Sequence, residues 1–203
     1  VEAPHLYKPS PLGWIPEEWE VGSIATMADI LDSQRVPVNE VERSKRSGDV
    51  PYYGANGQQG WIDRPLFDEP LILLAEDGGN FDDYAARPIA YRIDGPSWVN
   101  NHAHILKARA HCSQDFVFFS LVHRDIRRYI SGGTRTKLTA KDLKSIELPC
   151  PPRSEQATIA ERLEAIEVRL RYELQLRGKL TREKVGLMDD LLTGRVRVTP
   201  LLQ

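Results

Sequence analysis

Between Gly132 and Lys137 the chain reads Gly-Gly-Thr-Arg-Thr-Lys, a set of residues suited to holding a phosphate. Glycine lets the backbone approach an anion, Thr134 and Thr136 offer hydroxyls, and Arg135 and Lys137 supply charge. The order lacks the GxxxxGK(S/T) spacing of a nucleoside-triphosphate loop, so ATP-driven work is not expected of this chain. Its surroundings favour a polyanion. From Arg124 to Lys144 there are seven basic residues (Arg124, Arg127, Arg128, Arg135, Lys137, Lys141, Lys144) against Asp125 and Asp142. A basic hairpin turn in solvent is the plain alternative, but a patch this dense can neutralise the phosphates of DNA.

A second stretch has chemistry for reading bases. Tyr52-Tyr53-Gly54-Ala55-Asn56-Gly57-Gln58-Gln59-Gly60-Trp61 combines an Asn-Gly turn with two further glycines and three aromatics. Such a turn carries Asn56, Gln58 and Gln59 outward on a rigid base, and Asn and Gln can bond bidentately to adenine in the major groove. The competing reading has these amides satisfying the turn's own backbone.

Metal chemistry is the sharpest enzymatic alternative. Glu76, Asp77, Asp82, Asp83, His102 and His104 offer oxygen and nitrogen ligands of the kind a metal-dependent nuclease uses. There is no HExxH or Cys/His ligand spacing. His102 and His104, one residue apart on an expected strand, share a face without a third ligand in sequence. No metal is therefore assigned. A methyltransferase would need a glycine-rich cofactor turn after a strand and an Asn-Pro-Pro-Tyr motif, and neither occurs. The residues thus describe a non-catalytic DNA-binding chain without a cofactor of its own.

The elements that must position these groups follow from composition and pattern. At 203 residues and 41% hydrophobic, the chain can bury one good core plus an appendage. Residues 1–150 hold 17 basic against 21 acidic side chains and residues 151–203 hold 10 against 8, so the basic patch lies on a mildly acidic body. Cys112 and Cys150 have no CxxC spacing, and no apolar run approaches a membrane span, so a cytoplasmic protein is expected. Residues 1–12, with three prolines, read as a leader or linker, and Trp14 and Trp19 as core or lid residues. Residues 22–34 are helical or strand-like, and Arg35–Asp49 reads as a charged loop holding Arg43, Lys45 and Arg46. Strands are expected at Pro70–Ala75, Pro88–Ile93 and His104–Ala108, with turns at Glu76–Asn80 and Asp94–Pro96 and a helix over Gln114–Ile130. The mixture predicts an α+β domain.

From Ser154 to about Leu192 no proline interrupts a helix of about 58 Å, with Ser154 as its cap. Ile159, Leu163, Ile166 and Leu170 fall on a 4-3-4 seam that Leu180, Leu187 and Leu191 resume, while Glu173, Arg177 and Lys184 make its middle polar. A helix this long cannot bury its stripe alone, and the chain offers no second helix of comparable length. A homodimer through a coiled coil is expected.

The run SGGTRTKLTAKDLKSIELPCPPRSEQ (residues 131–156) leading into that helix resembles the junction in specificity subunits of type I restriction-modification systems, where a target-recognition domain meets a helical spacer. GWIPEEWEV (residues 13–21), ILLAEDGGNF (residues 72–81), VNNHAHILKA (residues 99–108) and LLTGRVRV (residues 191–198) occur in the family's order and extend the resemblance over nearly the whole chain. It implies a leader at 1–12, a target-recognition domain at 13–152 and a helical dimerisation and spacer region at 153–203. It also implies that two recognition domains each read half of a bipartite DNA target and that two helices pair antiparallel as a ruler. Methyltransferase subunits would pack on this scaffold, a restriction subunit can join, and S-adenosylmethionine, ATP and Mg2+ would belong to those partners. One recognition domain and one helix stand here where the full subunit has two of each, as expected of a half-length subunit, a truncation or a fragment. The expected DNA contacts are Asn56, Gln58, Gln59, Arg124, Arg128, Gly132, Gly133, Thr134, Arg135, Lys137 and Lys141.

Overall fold

The structure is a computed structural model and describes residues 6–132 and 136–198. It divides into two compact units, residues 1–160 and residues 161–203. The sequence placed the division at 152/153. The first two turns of the long helix instead belong to the globular unit, because Gln156 and Ala160 are buried in it.

In chain order the strands are β1 (Tyr7–Ser10), β2 (Gly13–Pro16), β3 (Glu20–Ser23), β4 (Ala28–Ile30), β5 (Val50–Gly54), β6 (Gly57–Ile62), β7 (Phe67–Asp68), β8 (Leu71–Ala75), β9 (Ala90–Ile93), β10 (Pro96–Val99), β11 (Ala103–Ala108), β12 (Ile130–Ser131), β13 (Lys137–Leu138) and β14 (Glu147–Cys150). The helices are α1 (Ile24–Met27), α2 (Glu40–Ser44), α3 (Gln114–Leu121), α4 (Ala140–Ser145) and α5 (Arg153–Leu192).

The unbroken apolar run Leu71–Ala75 becomes the buried centre of an antiparallel sheet ordered β4-β11-β8-β9, in which Leu73 pairs with Ile105 on one side and Tyr91 on the other. Strand side chains alternate between faces, so a strand apolar at every position must be covered on both. Ile72 and Leu74 enter one cluster with Met27, Phe116, Leu121, Leu143 and Leu148 from the helical side. Leu71 and Leu73 enter another with Phe67, Ile93, Val99 and Ile105. Each fully buried Leu or Ile contributes about 1.5–3 kcal/mol relative to exposure.

The second cluster is closed by a mixed sheet ordered β6-β5-β10-β7, in which β5 and β10 run parallel. Its outer face carries Val50, Tyr52, Ile62 and the fully buried Trp98. The segment around α2 lies on that face. Trp98 Nε1 donates to the Val36 carbonyl (3.1 Å) and Tyr52 Oη to the Val38 carbonyl (3.2 Å), while Arg46 stacks on Trp98 and Arg43 on Tyr52. Arg35–Asp49, expected as a solvated loop, therefore contains a helix pinned by two aromatics.

Other expectations change in detail. Tyr7–Ser10, read as leader, pairs with β2 as a hairpin. Residues 22–34 hold the four-residue α1, β4 and a 3-10 turn at Asp32–Gln34. The helix expected over Gln114–Ile130 ends at Leu121, and the chain continues to a 3-10 turn at Arg127–Tyr129. Trp14 is 60% exposed rather than core, and Trp19 donates its Nε1 to Glu155 Oε2 (2.9 Å). β14 pairs with β3, closing the globular unit by joining its two chain ends.

Helix α5 begins one residue before the expected cap. The Pro152 carbonyl accepts from the Glu155 and Gln156 amides, so Ser154 lies inside the first turn. Ile159, assigned to the seam, packs against the globular core. In the second unit Leu163, Ile166, Leu170, Leu180, Leu187 and Leu191 are all exposed. The helix ends at Gly194, whose φ of +73° and amide bond to the Leu191 carbonyl (3.3 Å) make it the left-handed stop. No helix of the described residues is long and apolar enough to cross a membrane.

Candidate nucleic-acid interface

The C-terminal end of β8 gathers the segments that the sequence marked as chemical. Leaving the sheet, Glu76 donates its amide to the His102 carbonyl (2.8 Å), and its own carbonyl accepts from the Leu138 amide (2.8 Å). Its carboxylate holds Lys137 (2.9 Å) and Arg35 (2.7 Å). Asp77 bridges to Lys137 through the backbone and holds His102 Nδ1 at 2.6 Å. The Gly78 carbonyl accepts from Asn56 Nδ2 (2.8 Å). The β5–β6 turn, the Asn100–His102 turn and the C-terminal side of the basic loop thus meet on the Glu76–Gly78 exit, so ILLAEDGGNF acts as an anchor.

Beneath this exit lies a buried polar cluster. His104, on the same face of β11 as Leu106, is 1% exposed and bridges Asp32 Oδ2 (2.6 Å) and the Leu138 carbonyl (2.9 Å). Asp32 Oδ1 accepts from the Ile105 amide (2.9 Å), and Arg35 lies 3.5 Å from Asp32 Oδ2. Burial pushes the Asp32 carboxyl up, but the His104 hydrogen bond and charge, the Ile105 amide and Arg35 outweigh it, so it lies below the ordinary range. Glu76 is likewise raised by burial and lowered further by Lys137, Arg35 and His104, with the net shift downward.

Asp32, Glu76 and His104 bring potential ligand atoms within 4.8 Å of one another. A metal there would have to displace Arg35 and Lys137, whose charges already balance the carboxylates. The cluster is a structural ion network that fixes the ends of β8, β11 and β13. His102, expected on the same strand face as His104, lies in the turn before β11 and pairs with Asp77, and Asp82 and Asp83 sit apart in a 3-10 turn.

The three amides of the β5–β6 turn are exposed, but they are not equivalent. Gly57, at φ +116°, makes the turn. Asn56 spends its Nδ2 on Gly78, and Gln58 spends its Nε2 on the Gly60 carbonyl (3.1 Å). These two satisfy backbone, which was the competing reading. Gln59 differs: its Oε1 accepts from the buried Asn100 Nδ2 (3.1 Å), and its amide lies across Gly54, where a Cβ would come within 2.3 Å of Gln59 Nε2.

The basic region is more heavily paired than its composition implies. Arg127 is held by Asp125 (2.6 Å), and Arg128 by Glu147 (2.7 Å) and the Tyr129 ring. Arg128, expected on phosphate, is thereby partly spent. Arg124 and Lys141 keep no ion pair among the described residues. Burial depresses the Arg124 guanidinium below its ordinary value, Arg128 adds repulsion, and Tyr129 and Glu147 oppose the shift. Arg124, Asp125, Arg127 and Arg128 line a groove of about 520 Å³ with Pro11 and Leu12. Gly132, exposed with φ +100°, is the last described residue before the loop's centre; Gly133, Thr134 and Arg135 lie outside the described residues.

The sequence shows Arg43 only as part of a charged loop, and Asn100 only within the Asn100–His102 segment, a second choice for base reading after the Asn56–Gln59 turn. The signal for Arg43 was Asn39 with Glu42 three residues on, a helix-start pattern, and Asn39 Oδ1 does accept from the Glu42 amide (2.8 Å). The burial of Asn100 carried no local signal, since it depends on the parallel pairing of β10 with β5.

The family model described as type I restriction modification DNA specificity domain matches residues 16–182. A Haemophilus influenzae protein named as a type I restriction enzyme specificity subunit is 32% identical over 150 residues, covering 73% of this chain and 37% of its own length. A Methanocaldococcus jannaschii protein named as the MjaX specificity subunit is 29% identical over 206 residues, covering 95% of this chain and 47% of its own. The chain spans about half or less of these relatives. Among solved structures, the S subunit of a type I restriction-modification system from M. genitalium superposes with a TM-score of 0.64 at 17% identity, covering 85% of this chain and 45% of that one. The HsdS subunit from Thermoanaerobacter tengcongensis gives 0.58 at 15%, covering 92% and 47%. At such identities the structural likeness is one of fold.

Proposed function

The chain belongs to the type I restriction-modification DNA specificity domain family, and from that membership we propose that it reads one half of a bipartite DNA target as the specificity subunit, or half-subunit, of such a system. The observation that carries the reading is the convergence on the Glu76–Gly78 exit. One loop with phosphate chemistry and two turns with base-edge chemistry are tied to a single strand end. Phosphate contacts set position and register while base-edge contacts specify, and here both kinds of group share one rigid support.

In this reading the chain is not itself catalytic. Methylation and cleavage belong to methyltransferase and restriction subunits, which bring S-adenosylmethionine, ATP and Mg2+, and the globular unit and α5 form the scaffold on which methyltransferase subunits sit. Two copies pair through the exposed stripe of α5, antiparallel, so that two recognition units serve the two halves of the target.

The nuclease alternative is tested at the same time. Purified chain is incubated with randomised duplex DNA, with and without Mg2+ or Mn2+, and bound molecules are sequenced. Enrichment of a short common half-site with the DNA intact is the expected result. Metal-dependent cleavage by the chain alone would overturn the reading, and so would binding that enriches no sequence.

A further inference from the structure

We propose that the open groove between α2, the β5–β6 hairpin and the Asn100–His102 turn is the base-reading surface of this unit, with Arg43, Gln59 and His102 as its specificity-determining side chains. The proposal rests on the DNA-recognition reading above and assigns it to a place. The groove has a volume of about 310 Å³, and these three side chains line it together with Glu40, Asn100 and Asn101.

What singles out the three is that each is fixed at one end by the protein and presents another to solvent. Arg43 stacks on the Tyr52 ring, 4.7 Å from its centroid, and donates Nη1 to the Gln59 carbonyl (3.1 Å). It has no carboxylate at ion-pair distance among the described residues, whereas nearby Arg46 is held by Asp63 (2.6 Å). Its remaining guanidinium donors keep their fork for an external acceptor pair. Gln59 Oε1 is held by Asn100, which is itself locked because its Oδ1 accepts from the His102 amide (2.8 Å) and its amide bonds to the Tyr53 carbonyl (3.0 Å). Gln59 Nε2 is left as a donor. His102 commits Nδ1 to Asp77, leaving the Nε2 edge of a ring whose side chain is 39% exposed.

This pattern fits base edges better than phosphates. A guanidinium fork matches guanine O6 and N7, an amide N–H finds purine N7 or thymine O4, and an imidazole Nε2 accepting a hydrogen bond meets cytosine N4 or adenine N6. Glu40 at the rim disfavours a phosphate there. Donors already immobilised lose little entropy on binding, and a held group penalises the wrong base by being left unpaired. Asn100 acts through Gln59 and His102 and is a positioning residue.

The experiment is selection from randomised duplexes by the whole chain, comparing Arg43→Lys, Gln59→Ala and Gly54→Ala with the parent. Gly54→Ala introduces a methyl group that the Gln59 side chain must vacate, so Gln59 is displaced without being removed. Gln59→Ala and Gly54→Ala are expected to lose preference at the same half-site position. Arg43→Lys, which keeps the charge but loses the fork, should lose it at a second. Each loss should be roughly 5- to 150-fold in discrimination, with overall affinity and its salt dependence nearly unchanged. Variants that remain folded by thermal melting and still select the parental half-site with undiminished preference overturn the assignment. A parent that selects no sequence refutes the recognition reading itself, which separates the two failures.

Discussion

Lys137 Nζ lies 2.9 Å from Glu76 Oε1, so the last basic residue of the glycine-rich loop is tied to the end of the central strand. The Lys137 side chain is 50% exposed and that of Glu76 12%, so the pair is screened on one side only. Lys137→Ala is expected to cost about 1 kcal/mol or less in urea unfolding, because Arg35 still holds the carboxylate. Its charge is already balanced, so its loss should change the salt dependence of DNA binding by less than one full phosphate contact. A variant of unchanged stability and a salt slope lower by a whole unit would make Lys137 a phosphate ligand first.

The ion network beneath the loop predicts an acid limit to stability. Asp32 and Glu76 have carboxyl pKa values below their ordinary ones in the folded chain. The unfolded state then binds protons first as pH falls. The stabilisation is fully present above the ordinary carboxylate range, about pH 4 to 4.5, and is lost as pH drops through the folded values. Unfolding midpoints measured from pH 6 to pH 2 should fall steeply below about pH 4. In Asp32→Asn the fall should be shallower, starting from a lower plateau.

Phosphate contact should track the cations that the protein leaves unpaired. Arg124 and Lys141 qualify among the described residues, whereas Arg127 is paired with Asp125. Fluorescence anisotropy titrations over a range of KCl concentrations should show Arg124→Ala and Lys141→Ala each lowering the slope of log K against log salt by about 1, with affinity reduced for all sequences alike. Arg127→Ala should leave the slope nearly unchanged. Equal slopes for all three would mean that the local charge excess acts only as a diffuse field.

What could be read from the sequence depended on how local the signal was. Leu71–Ala75 announced a buried strand because five consecutive apolar residues have no other use between turn signals, and the long helix announced itself by its period. The mixed sheet did not, since the parallel pairing of Tyr52–Tyr53 with Trp98–Val99 joins residues more than forty positions apart. The candidate site divided along the same line. The β5–β6 turn was visible as a glycine-framed hairpin, but which of its amides was spent was decided by Gly78, Gly60 and Asn100, which only the fold brings near. Likewise the charge excess at Arg124–Lys144 was countable, yet Glu147 and Glu76, which neutralise part of it, come from other elements.

The last prediction concerns the apolar stripe of α5. Leu163, Ile166 and Leu170 are 41%, 63% and 56% exposed in the single chain, and Leu180, Leu187 and Leu191 continue the same 4-3-4 frame. At about 25 cal/mol per Å² of apolar surface, a row of large side chains left in water at this spacing is costly, and pairing with a like stripe removes the cost. Within the stripe Glu173, Arg177 and Lys184 interrupt the apolar positions, so the pairing register matters. In an antiparallel dimer the acidic and basic members of this interruption can face one another across the helices, whereas a parallel dimer would set each against its own copy. Sedimentation should therefore report a dimer for the parent chain and a monomer for the triple variant Leu163→Asp, Ile166→Asp, Leu170→Asp, with the globular unit still folded by its tryptophan fluorescence. Cysteine pairs decide the orientation: Leu170→Cys combined with Leu180→Cys, both on the seam, in one chain should crosslink between unlike positions if the helices run antiparallel and between like positions if they run parallel. A triple variant that stays dimeric would show that the stripe is not the contact between copies, and the exposed leucines would then be left for a different protein to cover.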